Sequence, residues 1–223
     1  MRKVLLFVLC FITFVCYSQR KELADVNIDD FISETQISND QTEHIEFIWW
    51  MPAEYWEAVF SKDKYSNPEE TKAIIDILKK HIVIIVVKGK VGMFGGITYE
   101  TRESILSNLN VYYNGSSLKY IKQDNLEPDL KNFITMIGPM MKNMIGQMGE
   151  NMQIFVYEND KKSPVDVWND GKLLAELKDF KATIELPLSS LLEEKLCPEG
   201  NKLYSGKWNF CPFHGKKLVA KSD

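Results

Sequence analysis

The sequence predicts an α+β fold. It reads as a single compact domain with a mixed or antiparallel sheet and a long helix in its C-terminal half, followed by a small two-cysteine tail. Three observations predict it. Strand and helix patterns follow one another irregularly, without the steady strand–helix–strand rhythm of a parallel sheet. Ile82 to Val87 is β-branched throughout, the signature of a buried strand. Asn114-Gly115 sits between Val111-Tyr112-Tyr113 and Leu118 to Tyr120, a two-residue hairpin signal.

The first residues are read apart from the fold. Arg2 and Lys3 precede an apolar run from Val4 to Val15, broken only by Thr13. Cys16-Tyr17-Ser18 then places small residues at −3 and −1, so residues 1–18 read as a signal peptide cleaved before Gln19. The run is shorter than the ~20 residues that cross a bilayer, so no transmembrane span is expected once it is removed. The expected location is outside the cytoplasm, periplasmic or secreted. Cleavage takes the formal charge from −4 to −6 and removes Cys10 and Cys16, leaving Cys197 and Cys211. That acidity argues against a nucleic-acid partner and against an anionic membrane surface.

Residues 19–43 are polar and acidic and read as a linker or arm, with a short element near Val26 to Ile32. The α+β domain is expected over residues 44–194. Ile45, Phe47, Trp49 and Met51 alternate with Ile48 and Trp50, so both faces of this strand should be covered. Pro52 opens a helix with Tyr55, Trp56, Val59 and Phe60 on one side. Asn67-Pro68-Glu69-Glu70 starts another, with a cap, a proline and two acids in its first turn. After the strand at 82–87 come a glycine-studded turn at 89–96, a returning strand at 96–101 and a short helix at 103–109. Pro128 opens the longest helical stretch, to about Asn151, with a break or kink near Gly138-Pro139. Strands at 152–157, 173–177 and 182–186 close the domain.

The tail, residues 195–223, holds the sharpest chemical feature. Cys197-Pro-Glu-Gly-Asn-Lys-Leu and Cys211-Pro-Phe-His-Gly-Lys-Lys-Leu share Cys-Pro, then Gly, then Lys-Leu. Residues 195–218 resemble the twin knuckles of a zinc ribbon, a family in which four ligands hold one zinc tetrahedrally. The resemblance implies Cys197, Cys211 and His214 as ligands. The first copy reads as one residue short, so a fourth ligand would have to come from elsewhere, such as Glu199 or water. It also implies that the two cysteines face each other across the metal, with sulfurs ~3.8 Å apart. A small closure makes a disulfide at ~2.05 Å, which in an oxidising compartment is the leading expectation. The loop of ~15 residues would contribute about 3 kcal/mol by chain entropy. Zinc is the alternative, and no other cofactor is expected.

Other motifs read as structure. Met136, Met140, Met144, Met148 and Met152 recur every four residues beside Met141; thioethers suit Cu(I), but a helical stripe is first a core face. The aromatic cluster of Phe47, Trp49, Trp50, Tyr55, Trp56 and Phe60 could be a stacking platform, although its spacing predicts burial. Gly89, Gly92, Gly95 and Gly96 lack the Lys-Ser/Thr of a nucleotide loop. Asn114-Gly115-Ser116 matches a glycosylation acceptor that its hairpin role already explains. His44, His81 and His214 make no metal motif together, and no serine-nucleophile elbow occurs. The expectation is therefore an exported, non-enzymatic module that binds a protein or small-molecule partner. The alternatives are an envelope hydrolase using paired carboxylates, and a metal-handling protein. A cleft with two carboxylates, one raised in pKa, would favour the hydrolase.

Overall fold

The structure, a computed structural model, describes residues 19–39, 41, 43–178 and 180–221. The expected signal segment lies outside them. Asn27 caps α1 (Ile28–Thr35): its side-chain oxygen accepts from the N–H groups of Asp29 and Asp30 at 2.9 and 3.4 Å. The chain continues into β1 (Gln36–Asn39) and β2 (His44–Trp50). Next come α2 (Ala53–Lys62), α3 (Pro68–Leu78), β3 (His81–Val91), β4 (Ile97–Tyr99) and α4 (Arg102–Asn108). Then follow β5 (Leu109–Tyr113), β6 (Ser116–Ser117), β7 (Tyr120–Ile121), α5 (Pro128–Ile145), α6 (Gln147–Glu150) and β8 (Gln153–Glu158). The last elements are β9 (Gly171–Leu177), β10 (Phe180–Leu186), β11 (Lys195–Leu196), β12 (Leu203–Tyr204) and β13 (Val219–Ala220).

Every strand pairing described is antiparallel, which makes the fold α+β as the irregular element order predicts. The main sheet runs β1-β2-β3-β8-β7, with β4 also on β3. The second runs β10-β9-β5-β6, and β12-β11-β13 forms a small third sheet in the tail. β3 is central, with Ile82 to Val87 all buried; its β-branched side chains fill both faces, so no solvent face with polar alternation exists. The Asn114-Gly115 hairpin forms as expected, both residues at positive φ (47° and 80°) in the conformation the tight turn demands.

Two elements differ from the sequence expectation. Residues 28–39, within the stretch that reads as an arm, form α1 and β1. Val26 and Phe31 are wholly buried, and β1 adds an edge strand to β2 in the register Gln36↔Trp49. Composition averages over the acidic residues and hides two apolar anchors. The long helical stretch is unbroken at Gly138-Pro139; its break falls at Gly146, whose φ is 61°, and α6 carries it on to Glu150. Pro139 lies on the exposed side, so the carbonyl its missing N–H leaves unpaired, that of exposed Thr135, is open to solvent. Among the described residues no helix is long and apolar enough to cross a membrane.

One buried ion pair ties β2 to β3. Glu46 and Lys88 are register partners, their charged atoms 2.9 Å apart, and Asn39 donates to Glu46 at 2.6 Å. Burial pushes the Glu46 carboxyl up, but Lys88 and Asn39 outweigh it and hold the group below its ordinary 4.5. A lowered carboxylate contributes stability that is present above 4.5 and lost as pH falls through the folded value. Glu46→Gln is expected to destabilise by about 3 kcal/mol at pH 7 in urea titrations. The gap from the parent should shrink as pH drops below that value; a pH-independent gap would rule out the charge as its source.

Candidate metal centre

The tail has its own miniature core of Cys197, Cys211 and Leu218, with Tyr204 packed against it. It is separate from the main cluster that unites both large sheets and the helices. Buried Lys195 braces it from within, donating to the Trp208 carbonyl at 3.0 Å and to Asn209 Oδ1 at 3.3 Å. Ser205 Oγ meets Ser189 Oγ at 3.1 Å, and Lys207 Nζ donates to the Glu185 carbonyl at 3.1 Å, holding the tail to the main domain.

The two cysteine loops are the same structure made twice. In the first, Asn201 N–H donates to the Cys197 carbonyl and Cys197 N–H to the Lys202 carbonyl, both at 2.9 Å. In the second, Gly215 N–H donates to the Cys211 carbonyl at 2.9 Å and Cys211 N–H to the Lys216 carbonyl at 2.8 Å. Asn201 and Gly215 occupy equivalent left-handed positions, at φ 48° and 64°. Asparagine tolerates that conformation better than most residues, which is why the match is hard to see in the sequence. The first copy is therefore not one residue short. Gly200 stands where His214 stands in the second loop.

Gly200 has a steric reason to lack a side chain. A Cβ built on it would lie 2.7 Å from His214 Cε1. The imidazole lies across this glycine and reaches both sulfurs, with Nδ1 3.4 Å from Cys197 Sγ and 3.5 Å from Cys211 Sγ. The three ligand atoms all lie within 4.8 Å of one another. A tetrahedral ion with bonds of about 2.3 Å to sulfur and 2.0 Å to nitrogen sets sulfur and nitrogen about 3.5 Å apart. The two nitrogen–sulfur distances match two edges of such a polyhedron. Gly200 N–H also donates to Cys197 Sγ at 3.4 Å.

Local electrostatics favour thiolate. Burial alone would raise the Cys211 thiol, but the backbone N–H groups of His214 and Phe213, together with Tyr204 and Cys197, bring it down to about 6. Cys197 and Cys211 are free and buried. Glu199 does not join the group; its carboxylate lies 3.7 Å from Lys216 Nζ.

Among the described residues, the other sequence candidates do not gather into a metal-binding group. Met141 is buried, Met148 and Met152 pack against the core, and Met136 and Met140 are exposed, so the stripe divides between interior and solvent. The Met144 side chain lies outside the described residues. Phe47, Trp49, Trp50, Tyr55 and Trp56 are buried and Phe60 packs beside them, a core instead of a platform. Gly92 and Gly96 close the β3–β4 hairpin, Gly92 N–H donating to the Gly96 carbonyl at 2.7 Å.

Sequence reasoning missed one cleft. A cavity of about 260 Å³ is lined by Glu54, Asp166, His81, Lys79, Trp50 and Trp168, among others. Burial holds the Glu54 carboxyl above its ordinary 4.5, reinforced by Glu57 and Asp166 against the pull of Lys79. Asp166 accepts from Trp168 N–H at 2.8 Å and from Asn169 Nδ2 at 2.6 Å. His81 Nδ1 is taken by the Ile77 carbonyl at 2.9 Å. Glu54 and Asp166 stand 112 positions apart in the chain, so no local spacing pairs them. A raised carboxyl contributes stability below its unfolded value that is lost as pH rises through the folded one. Glu54→Gln should therefore raise the melting temperature by a few degrees at pH 7 and leave it unchanged at pH 4; an equal gain at both would refute the shift.

No protein-family model, curated protein or solved structure matches this chain.

Proposed function

We propose that the chain is an exported, non-enzymatic binding module whose tail is held by one zinc ion on Cys197, Cys211 and His214, with water as fourth ligand. The observation that carries this reading is the trio itself. Three soft or borderline donors converge within 4.8 Å on two matching loops, in a tail whose own core is three side chains. A cluster of that size needs a cross-link to order the segment, and a structural metal supplies one. The zinc-ribbon resemblance points the same way, with His214 replacing a cysteine and Gly200 yielding space to its ring. The competing state of the same sulfurs is a Cys197–Cys211 disulfide, which releases His214.

The test is purification from Gln19 onward without added reductant or chelator, with metal content by mass spectrometry and intact mass before and after alkylation. One zinc per chain and two protected thiols support the reading. Two alkylated thiols with no metal refute it. A mass two units lower and resistance to alkylation until reduction assign the disulfide.

A second reading has one observation in its favour. The Glu54–Asp166 cleft pairs a carboxyl of raised pKa with a second acid, Asp166, held by backbone and amide donors, an arrangement suited to acid–base hydrolysis. Turnover of glycoside or ester substrates that is lost in both Glu54→Gln and Asp166→Asn would establish it. Equal background hydrolysis by parent and variants would remove it.

A further inference from the structure

Charge is segregated along the chain. Residues 19–194 hold nineteen basic and twenty-nine acidic side chains, whereas residues 195–223 hold six lysines and two acids, a formal +4. The acidity that argues against an anionic surface belongs to the main domain and not to the tail.

The tail also exposes apolar rings in a continuous row. Phe213, at the tip of the second cysteine loop, is 73% exposed, and Trp208 is 47% exposed. Tyr204 lies between them, stacked on Trp208 with centroids 5.8 Å apart and tilted toward Phe213 at 6.4 Å. Lys202 sets its ammonium 5.7 Å from the Tyr204 ring and 5.9 Å from Phe213. Lys216 and Lys217 follow Phe213 in the same loop and are exposed. A phenylalanine tip has no polar atom to satisfy in water, and lysines beside it cannot enter hydrocarbon. Together they match a boundary that is apolar on one side and anionic on the other.

We propose that the tail docks on an anionic lipid surface. Trp208, Tyr204 and Phe213 enter the headgroup region, and Lys202, Lys216 and Lys217 lie against the phosphates. Single-stranded nucleic acid is the other polyanion that aromatic rings and lysines can bind, but bases need open ring faces to stack upon. Here Tyr204 and Trp208 cover one another and Lys202 lies against Tyr204 and Phe213. The inference needs only the folded tail and holds whether zinc or a disulfide links the cysteines.

The experiment is vesicle co-sedimentation of the chain from Gln19 to Asp223. Phosphatidylcholine vesicles are compared with vesicles containing about one third phosphatidylglycerol. Binding is expected on the anionic vesicles alone, weakening steeply with salt. Phe213→Ala combined with Trp208→Ala should weaken it at least about tenfold, through lost apolar insertion. Changing Lys202, Lys216 and Lys217 to Glu should abolish it. All five side chains are exposed, so unchanged amide-exchange protection at Cys197 and Cys211 is the control for folding. Failure to bind anionic vesicles overturns the proposal, as does binding that the ring truncations leave intact. Tighter binding to oligothymidylate than to vesicles, kept by the ring-truncated variant, also overturns it and assigns a general polyanion site.

Discussion

With zinc held as proposed, Cys211→Ser is expected to release it and unfold residues 195–221 while the main domain stays folded. The main core gathers both large sheets and the helices, whereas the tail's own apolar core among the described residues is Cys197, Cys211 and Leu218. Zinc binding to sites of this kind contributes on the order of 10 kcal/mol of folding free energy, far more than three side chains supply. Serine keeps the volume but offers a weak oxygen donor in place of a thiolate. Amide exchange is the direct measurement. Protection at Cys197, Leu218 and the β11–β12 pair should vanish in Cys211→Ser, and in the parent after chelation, while β3 and β8 exchange as before. Unchanged protection in both would mean that packing alone holds the tail. Protection that survives the chelator but falls with reductant would place a disulfide there. Gly200→Ala is a milder probe. Its methyl would displace the His214 ring, so zinc should bind more weakly without unfolding of the main sheet.

Phe155→Ala should be the most damaging single truncation in the main domain. Phe155 is wholly buried on β8, between β3 and β7. The Arg102 guanidinium lies 4.5 Å from its ring centroid, and the Tyr120 ring lies 6.3 Å away. Arg102 also donates to the Ile154 carbonyl at 2.7 Å, so the ring is one wall of a small ordered assembly. Losing the ring removes its transfer energy, leaves a cavity and uncovers part of that guanidinium. The expected loss is about 4 kcal/mol, read by linear extrapolation from urea. Phe155→Leu keeps most of the volume and should cost less than about 2 kcal/mol. Equal losses in the two variants would mean that the cation–ring contact, and not the volume, dominates.

Much of the fold could be read from the chain because the deciding patterns are local. Ile82–Val87 encodes a strand covered on both faces, and Asn114-Gly115 encodes a turn that only positive φ allows. Asn67-Pro68 encodes a helix start, and its oxygen accepts from Glu69 N–H at 3.0 Å. What escaped the sequence was set at a distance. α1 and β1 look like an acidic arm until Val26 and Phe31 find the core and Gln36 meets Trp49 on β2. The helix end at Gly146 was hidden behind the stronger signal of Pro139, which is harmless where its neighbours face water. The Glu54–Asp166 cleft joins the start of a helix to a loop more than a hundred residues later, and no spacing rule reaches that far.

The tail divides along the same line. The sequence by itself determined that two Cys-Pro loops recur and that Cys197, Cys211 and His214 are their chemically capable residues, because a loop's conformation is written in its own few positions. Only the tertiary structure decided that the loops are equal in length, with Asn201 in the place of Gly215 and Gly200 facing His214. It also decided that one imidazole nitrogen reaches both sulfurs. Those facts depend on β12 and β13 pairing on either side of β11, which sets the two loops against each other, and neither loop carries that information alone.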